Sequence, residues 1–238
     1  MFTLELPHWR ELCNGLLHLL YPTLCAGCEA DLPSAHYCFC LRCQSQLHPT
    51  DMHLHTENEF TDRFWGRLRI ESGAAMYYFS RQSPIQRALH HLKYKNQPDI
   101  GLRIGRRYGQ LLSHAPLYKG VQAILPVPLH PRKEQLRGYN QSAMLAQGIA
   151  ESLKVPVIPN VLMRTTFSNS QTQKKRMERF ENVGAVFGIK HPGRITGKQI
   201  LLVDDVLTTG ATLEACGSVL LQIPGVRVSM ATIAIAMH

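Results

Sequence analysis

Residues 200–212 read ILLVDDVLTTGAT. The first four are apolar without interruption, the pattern of a strand buried inside an α/β sheet. The run ends in two adjacent carboxylates, Asp204 and Asp205, and a loop of Thr208, Thr209, Gly210, Ala211 and Thr212 then opens an apolar helical pattern. This order has a physical reason. Loop N–H groups and the positive end of a helix bind a phosphate, and glycine lets the backbone approach it closely. Threonine hydroxyls add donors, and two carboxylates at the end of the strand accept the hydroxyl protons of a ribose diol. In open α/β sheets ligands sit at that end of the strands. The plainer alternative is an exposed acidic turn with Thr212 as a helix cap.

Outward from this stretch, strands and helices alternate. Strands are expected at 74–79, 123–128, 199–203 and 226–234, with a short edge strand at 155–158. Helices are expected at 85–92, 101–112, 142–153 and 211–222. Such alternation predicts an open α/β fold on a parallel sheet. The chain divides near residue 70. We expect a small N-terminal module over residues 1–62 and the α/β domain over residues 70–238. Leu12, Leu16, Leu19 and Leu20 predict an amphipathic helix before Pro22, and the polar stretch 48–62 reads as a linker or exposed loop.

The 238 residues are 45% apolar and 18% charged, which excludes wholesale disorder. Lys and Arg number 26 against 17 Asp and Glu, a net charge of +9. An excess of this size favours polyanions: nucleic acid, phosphorylated metabolites or anionic lipid. A basic coat for solubility is the alternative. No stretch approaches the roughly 18 apolar residues of a membrane span, so no membrane insertion is expected. Charged residues Glu5, Arg10 and Glu11 stand where a secretory signal needs an apolar core, so a cytoplasmic protein with reduced thiols is expected.

Six of the seven cysteines fall between Cys13 and Cys43. Cys25-x2-Cys28 and Cys40-x2-Cys43, eleven residues apart, supply four thiolates for one tetrahedral Zn²⁺. Such a closed site is structural rather than catalytic. Cys38 and His36 lie beside the second pair and are alternative ligands. Packed free thiols are the other reading.

The 200–212 segment resembles the phosphoribosyl-pyrophosphate (PRPP) motif of type I phosphoribosyltransferases. The resemblance assigns Asp204 and Asp205 to the ribose and Thr208, Thr209, Gly210, Ala211 and Thr212 to the 5-phosphate. The paired cysteines, HHLKYKNQ at 90–97, PVPLHPRKEQLRGYNQSAMLA at 126–146, QTQKKRMERFENVGAVF at 171–187 and VDDVLTTGAT at 203–212 together resemble the ComF/GntX family. That family is phosphoribosyltransferase-like and linked to DNA uptake and natural transformation. The resemblance implies PRPP with Mg²⁺, single-stranded DNA, and DNA-uptake or recombination proteins as partners.

Several basic residues then acquire candidate roles. Lys93 and Lys95 flank Tyr94, a pattern that can bind phosphate and stack on a base. Pro126 and Val127 lie in the loop that faces pyrophosphate in the family. Arg132 and Arg137 follow, and Arg137 can grip pyrophosphate bidentately. Asn140 and Gln141 could instead cap the next helix. Arg176 lies in a basic, polar stretch that resembles the closing loop of type I transferases. No acceptor site is legible, since the chain stops soon after the phosphate loop, at AIAIAMH. An active transferase and a nucleic-acid-binding protein with a PRPP pocket both remain open.

Overall fold

The computed structural model describes residues 22–34, 37–164 and 186–237. The expected N-terminal helix, Cys13, His36 and Arg176 lie outside the described residues.

In chain order the described elements begin with α1 (Leu41–Gln44) and α2 (Glu59–Asp62). The strand β1 (Ser72–Phe79) and the helices α3 (Pro84–Tyr94) and α4 (Pro98–His114) follow. Next come β2 (Ala123–Pro126), α5 (Pro131–Arg137) and α6 (Gln141–Leu153). The chain closes with β3 (Leu162–Arg164), β4 (Phe187–Ile189), β5 (Gln199–Leu207), α7 (Ala211–Leu220) and β6 (Arg227–Ala236). The main sheet has the order β1-β6-β5-β2, with every neighbouring pair parallel. β3 and β4 form a separate antiparallel pair.

The parallel α/β expectation therefore holds. β5 and β6 are the central strands and are buried almost throughout, as strands covered on both faces must be. β5 runs four residues past the apolar stretch that marks it, so both aspartates belong to the strand. The expected edge strand near 155–158 is a single parallel bridge, Val157 to Ile124. Ile124 N–H donates to Pro156 O at 3.0 Å and Ile158 N–H to Ile124 O at 2.9 Å. These bonds cover the open side of β2.

Residues 48–62 are not a linker, although 54–57 form an exposed loop within them. Tyr78 N–H donates to His48 O at 2.8 Å and Thr50 N–H to Met76 O at 3.0 Å, which covers the open edge of β1. Met52 and Phe60 are buried in the core. The Asn58 amide donates to Met52 O at 3.1 Å, His55 O at 2.8 Å and Gly73 O at 3.0 Å. Two large apolar side chains inside a polar stretch are enough to anchor it, and average polarity conceals them.

α4 and α6 pack backbone to backbone. A β-carbon at Gly148 would lie 2.8 Å from Gly105 Cα, and one at Gly109 would lie 2.8 Å from Ile149 O. Only hydrogen fits at these crossings. Gly148→Ala should cost about 2 kcal/mol, roughly 4–8 °C in Tm, because backbone cannot yield as a side-chain tip can. A thermal melt checks this, and an unchanged Tm would refute the packing.

The cysteine-bearing segment rests on α3 and α4. Arg103 of α4 is 7% exposed, and its guanidinium donates to Leu24 O at 3.1 Å and Tyr37 O at 3.0 Å. It also pairs with Asp99 at 2.7 Å, so this buried charge is neutralised and bonded. A β-carbon at Gly27 would lie 2.8 Å from Pro84 Cβ at the start of α3.

Candidate functional site

Because the four strands are parallel, their carboxyl ends share one rim of the sheet. There Asp204 and Asp205 follow the continuous apolar run of β5. Asp204 Oδ1 accepts from Ser142 Oγ at 2.9 Å and from Asp205 N–H at 2.9 Å. Asp205 is 7% exposed and pairs with Lys93 Nζ at 2.8 Å. Burial, and then the Asp205 carboxylate beside it, push Asp204 up to about 7. The Asp205 N–H, the Ser142 hydroxyl and Lys93 pull the other way and are outweighed. Two adjacent acids in a partly desolvated site resist double ionisation, and a ligand that donates hydroxyl protons or brings positive charge relieves that conflict.

The loop beyond them turns at Gly210, with φ +84° and ψ −7°, before α7. A side chain there would be strained in this left-handed conformation and would reach 3.3 Å from Phe64. α7 starts without a side-chain cap, so Thr212 is not one. Ala211 N–H donates to Thr209 Oγ1 at 3.5 Å, a long bond that a stronger acceptor at this helix N-terminus would replace. Arg63 fixes the loop by donating to Thr208 O and to Ala236 O, each at 2.7 Å.

A cleft of about 230 Å³ opens over the acids. Lys93 and Tyr94 from α3, Lys133 and Arg137 from α5, Ser142 from α6 and Arg164 from β3 contribute to its walls, with Thr212 at one side. A smaller recess of about 30 Å³ is formed by residues 206–213 with Asp204. Four cations against two carboxylates make the cleft suited to an anion that also carries hydroxyls.

Of the residues singled out from sequence, Lys93, Val127, Arg137, Asp204, Asp205 and Thr212 line the larger cleft. Thr208, Thr209, Gly210 and Ala211 line the recess, with Thr212 in both. Pro126 is the last residue of β2 and falls outside the lining. Of the basic residues Arg132, Lys133 and Arg137 read together from the sequence, Lys133 and Arg137 line the cleft and Arg132 is exposed on α5 outside it. Asn140 does cap α6, accepting from Ser142 N–H at 2.9 Å, and its amide donates to Val127 O at 2.9 Å. Sequence reasoning gave no cleft role to Ser142 or Arg164 and read Gln141 only as a helix cap. Ser142 holds Asp204, and Gln141 accepts from Arg137 Nη1 at 2.6 Å. The only available signal was their place in the first turn of a helix that follows the basic stretch.

The second candidate is the cysteine cluster. The Sγ atoms of Cys25, Cys28, Cys40 and Cys43 all lie within 4.8 Å of one another. Cys40 N–H donates to Cys25 Sγ at 3.2 Å. Burial raises the Cys25 thiol, but N–H donors from Cys40, Gly27 and Cys28 outweigh it and hold it down to about 7. Burial and the crowding thiols push Cys43 up. Four thiols converging on one point, with N–H groups aimed at sulfur, fit one tetrahedral ion such as zinc. Cys38 stands outside this set, and burial pushes its thiol up to about 12.

Comparison with known proteins agrees with this geometry. Residues 140–237 match the family model for the phosphoribosyl transferase domain, which takes in α6, the acid pair and the loop. Competence protein F of Haemophilus influenzae is 29% identical over 216 residues, covering 87% of this chain and 88% of that protein. The DNA utilization protein YhgH of Escherichia coli is 28% identical over 225 residues, 92% of this chain and 87% of that protein. Competence protein ComFC of Bacillus subtilis is 32% identical over 99 residues, 42% of this chain and 38% of that protein.

Proposed function

Because the chain belongs to the ComF family of phosphoribosyltransferase-like proteins, we propose that it binds PRPP and serves DNA uptake or utilisation as a single-stranded DNA-binding protein. The observation that carries the first half is the acid pair near the carboxyl end of β5, beside a glycine-turned loop that opens α7. In this reading Asp204 and Asp205 accept the ribose hydroxyls. Loop N–H groups of residues 208–212 hold the 5-phosphate. Lys93, Lys133 and Arg137 face the pyrophosphate. The cations on the cleft wall fit a pyrophosphate-bearing ligand, and Mg²⁺ carried with it would supply charge neutralisation there.

The +9 charge and the names of the relatives support the second half. We further propose DNA-uptake or recombination proteins as partners. No described helix is long and apolar enough to cross a membrane, and we place the protein in the cytoplasm on its clustered thiols. We divide it into a zinc module over residues 1–62 and a transferase-like unit over residues 70–238.

Calorimetric titration with PRPP should show binding that strengthens with Mg²⁺. No heat under either condition would end this reading. A second reading, an active phosphoribosyltransferase with an unidentified base or amine acceptor, draws on the same acid pair and loop. Incubation with PRPP, Mg²⁺ and a panel of bases and amines tests it by pyrophosphate release. Steady absence of release would leave a binding protein.

A further inference from the structure

Tyr94 is an unusual side chain in this molecule. Tyr108 and Tyr118 are fully buried, whereas Tyr94 is 67% exposed at the last position of α3. It stands on the lip of the cleft, one residue after Lys93, whose ammonium points inward to Asp205. The Arg137 guanidinium lies over its ring, 5.5 Å from the centroid, and the His90 ring is 5.1 Å away. Arg137 is held in place through its bond to Gln141. Leu136, beside it on α5, is 89% exposed. Exposed cations surround this patch: Lys95 next to the ring, and Arg132 and Lys133 on α5, with Glu134 the one acid on that helix.

We infer that the Tyr94–Arg137 lip is the surface on which a single strand of nucleic acid docks, in competition with any pyrophosphate-bearing ligand of the cleft. This rests on the DNA-binding reading above and goes beyond it by naming the surface and its coupling to the pocket. A largely exposed ring, with Arg137 over one face, accepts an unpaired base of any identity on the other, and adjacent cations take the flanking phosphates. A duplex hides its base faces and gains only the phosphate contacts. The competition follows from geometry. Lys133 and Arg137 serve both the lip and the cleft wall, and a pyrophosphate beneath the lip sets several negative charges within one Debye length of the strand, about 10 Å.

The test uses the full-length zinc-loaded protein and a labelled 20-nucleotide oligo(dT), followed by fluorescence anisotropy at low salt. Tyr94→Ala should weaken binding about 5- to 50-fold, while Tyr94→Phe, which keeps the ring, stays within about twofold. Arg137→Gln should weaken binding and lower the salt slope by about one. Inorganic pyrophosphate should displace the strand from the wild type well below the concentration at which sodium chloride of equal ionic strength does so. A duplex of equal length should bind more weakly. Wild-type affinity in Tyr94→Ala overturns the assignment of the surface while leaving DNA binding itself intact. Displacement by pyrophosphate no better than by chloride overturns the competition. Failure of the wild type to bind oligo(dT) at low salt removes the DNA-binding reading, and this inference with it, whatever PRPP does.

Discussion

Asp204→Asn should make the protein more stable at neutral pH while removing most of its affinity for PRPP. The stability half follows from the raised Asp204 carboxyl, at about 7 against an ordinary 3.8. Below pH 4 both folded and unfolded chains hold this proton and the group contributes nothing. Between pH 4 and 7 the unfolded chain releases it and the folded chain keeps it, so stability falls as pH rises. Above about 7 the folded chain carries a constant penalty. An asparagine carries no charge, and its Oδ1 still accepts from Ser142 and Asp205 N–H. The gain at pH 8 should be on the order of a few kcal/mol, or about 5–10 °C in Tm, and absent at pH 4. Melts of both proteins across pH 4–8 measure it as a difference curve. Parallel curves would show that Asp204 is an ordinary acid.

The binding half follows from the swap of a proton-accepting carboxylate for an amide, which should cost about 10- to 100-fold in PRPP affinity. Asp205→Asn should differ in stability alone. It strips the partner from Lys93 at 2.8 Å and leaves that ammonium partly buried and unpaired, so Tm should fall. Undiminished PRPP affinity in both variants would refute the ribose assignment.

Cys25→Ser should cost the protein its metal and at least about 10 °C in Tm, because a closed zinc site contributes folding energy directly. Cys25 is buried and its Sγ accepts an N–H bond from Cys40. The loss should spread beyond the cluster. Arg87 donates to Gly27 O, and Arg103 has acceptors at Leu24 O and Tyr37 O. If the segment unravels, Arg103 keeps Asp99 but loses two backbone acceptors, and buried donors without partners are costly. Atomic emission should find one zinc per wild-type chain and none in Cys25→Ser. Cys38→Ser should keep the full complement, since its thiol stands outside the cluster. Zinc retained in Cys25→Ser, or lost in Cys38→Ser, would redraw the ligand set.

Much of the site was legible before the fold. The apolar run at 200–203, the paired aspartates and the loop to Thr212 are consecutive, so one strand, one turn and one helix bring them together without help from distant chain. The cysteine pairs are similar: two short turns meet across eleven residues. What escaped was pairing at long range. Ser142 lies 62 residues from the Asp204 it holds, and nothing around it marks a partner. Lys93 was legible as a cation facing phosphate but not as the counter-ion of Asp205. Residues 48–62 looked like a linker because local polarity outvotes two buried apolar side chains. The glycines at 105, 109 and 148 lack any local function, and their reason exists only where α4 meets α6.

The sequence by itself therefore determined the alternation of strands and helices, the strand–turn–helix that carries Asp204 to Thr212 and the thiol cluster, since each depends on residues close together in the chain. Only the tertiary structure decided the charge state of the site. Burial of Asp204 beside Asp205, the pairing of Lys93 and the placing of Arg137 over Tyr94 all depend on how α3, α5 and α6 come to rest on the carboxyl rim of β5. Electrostatic energies turn on distance and desolvation, and neither is a property of neighbouring residues in the chain.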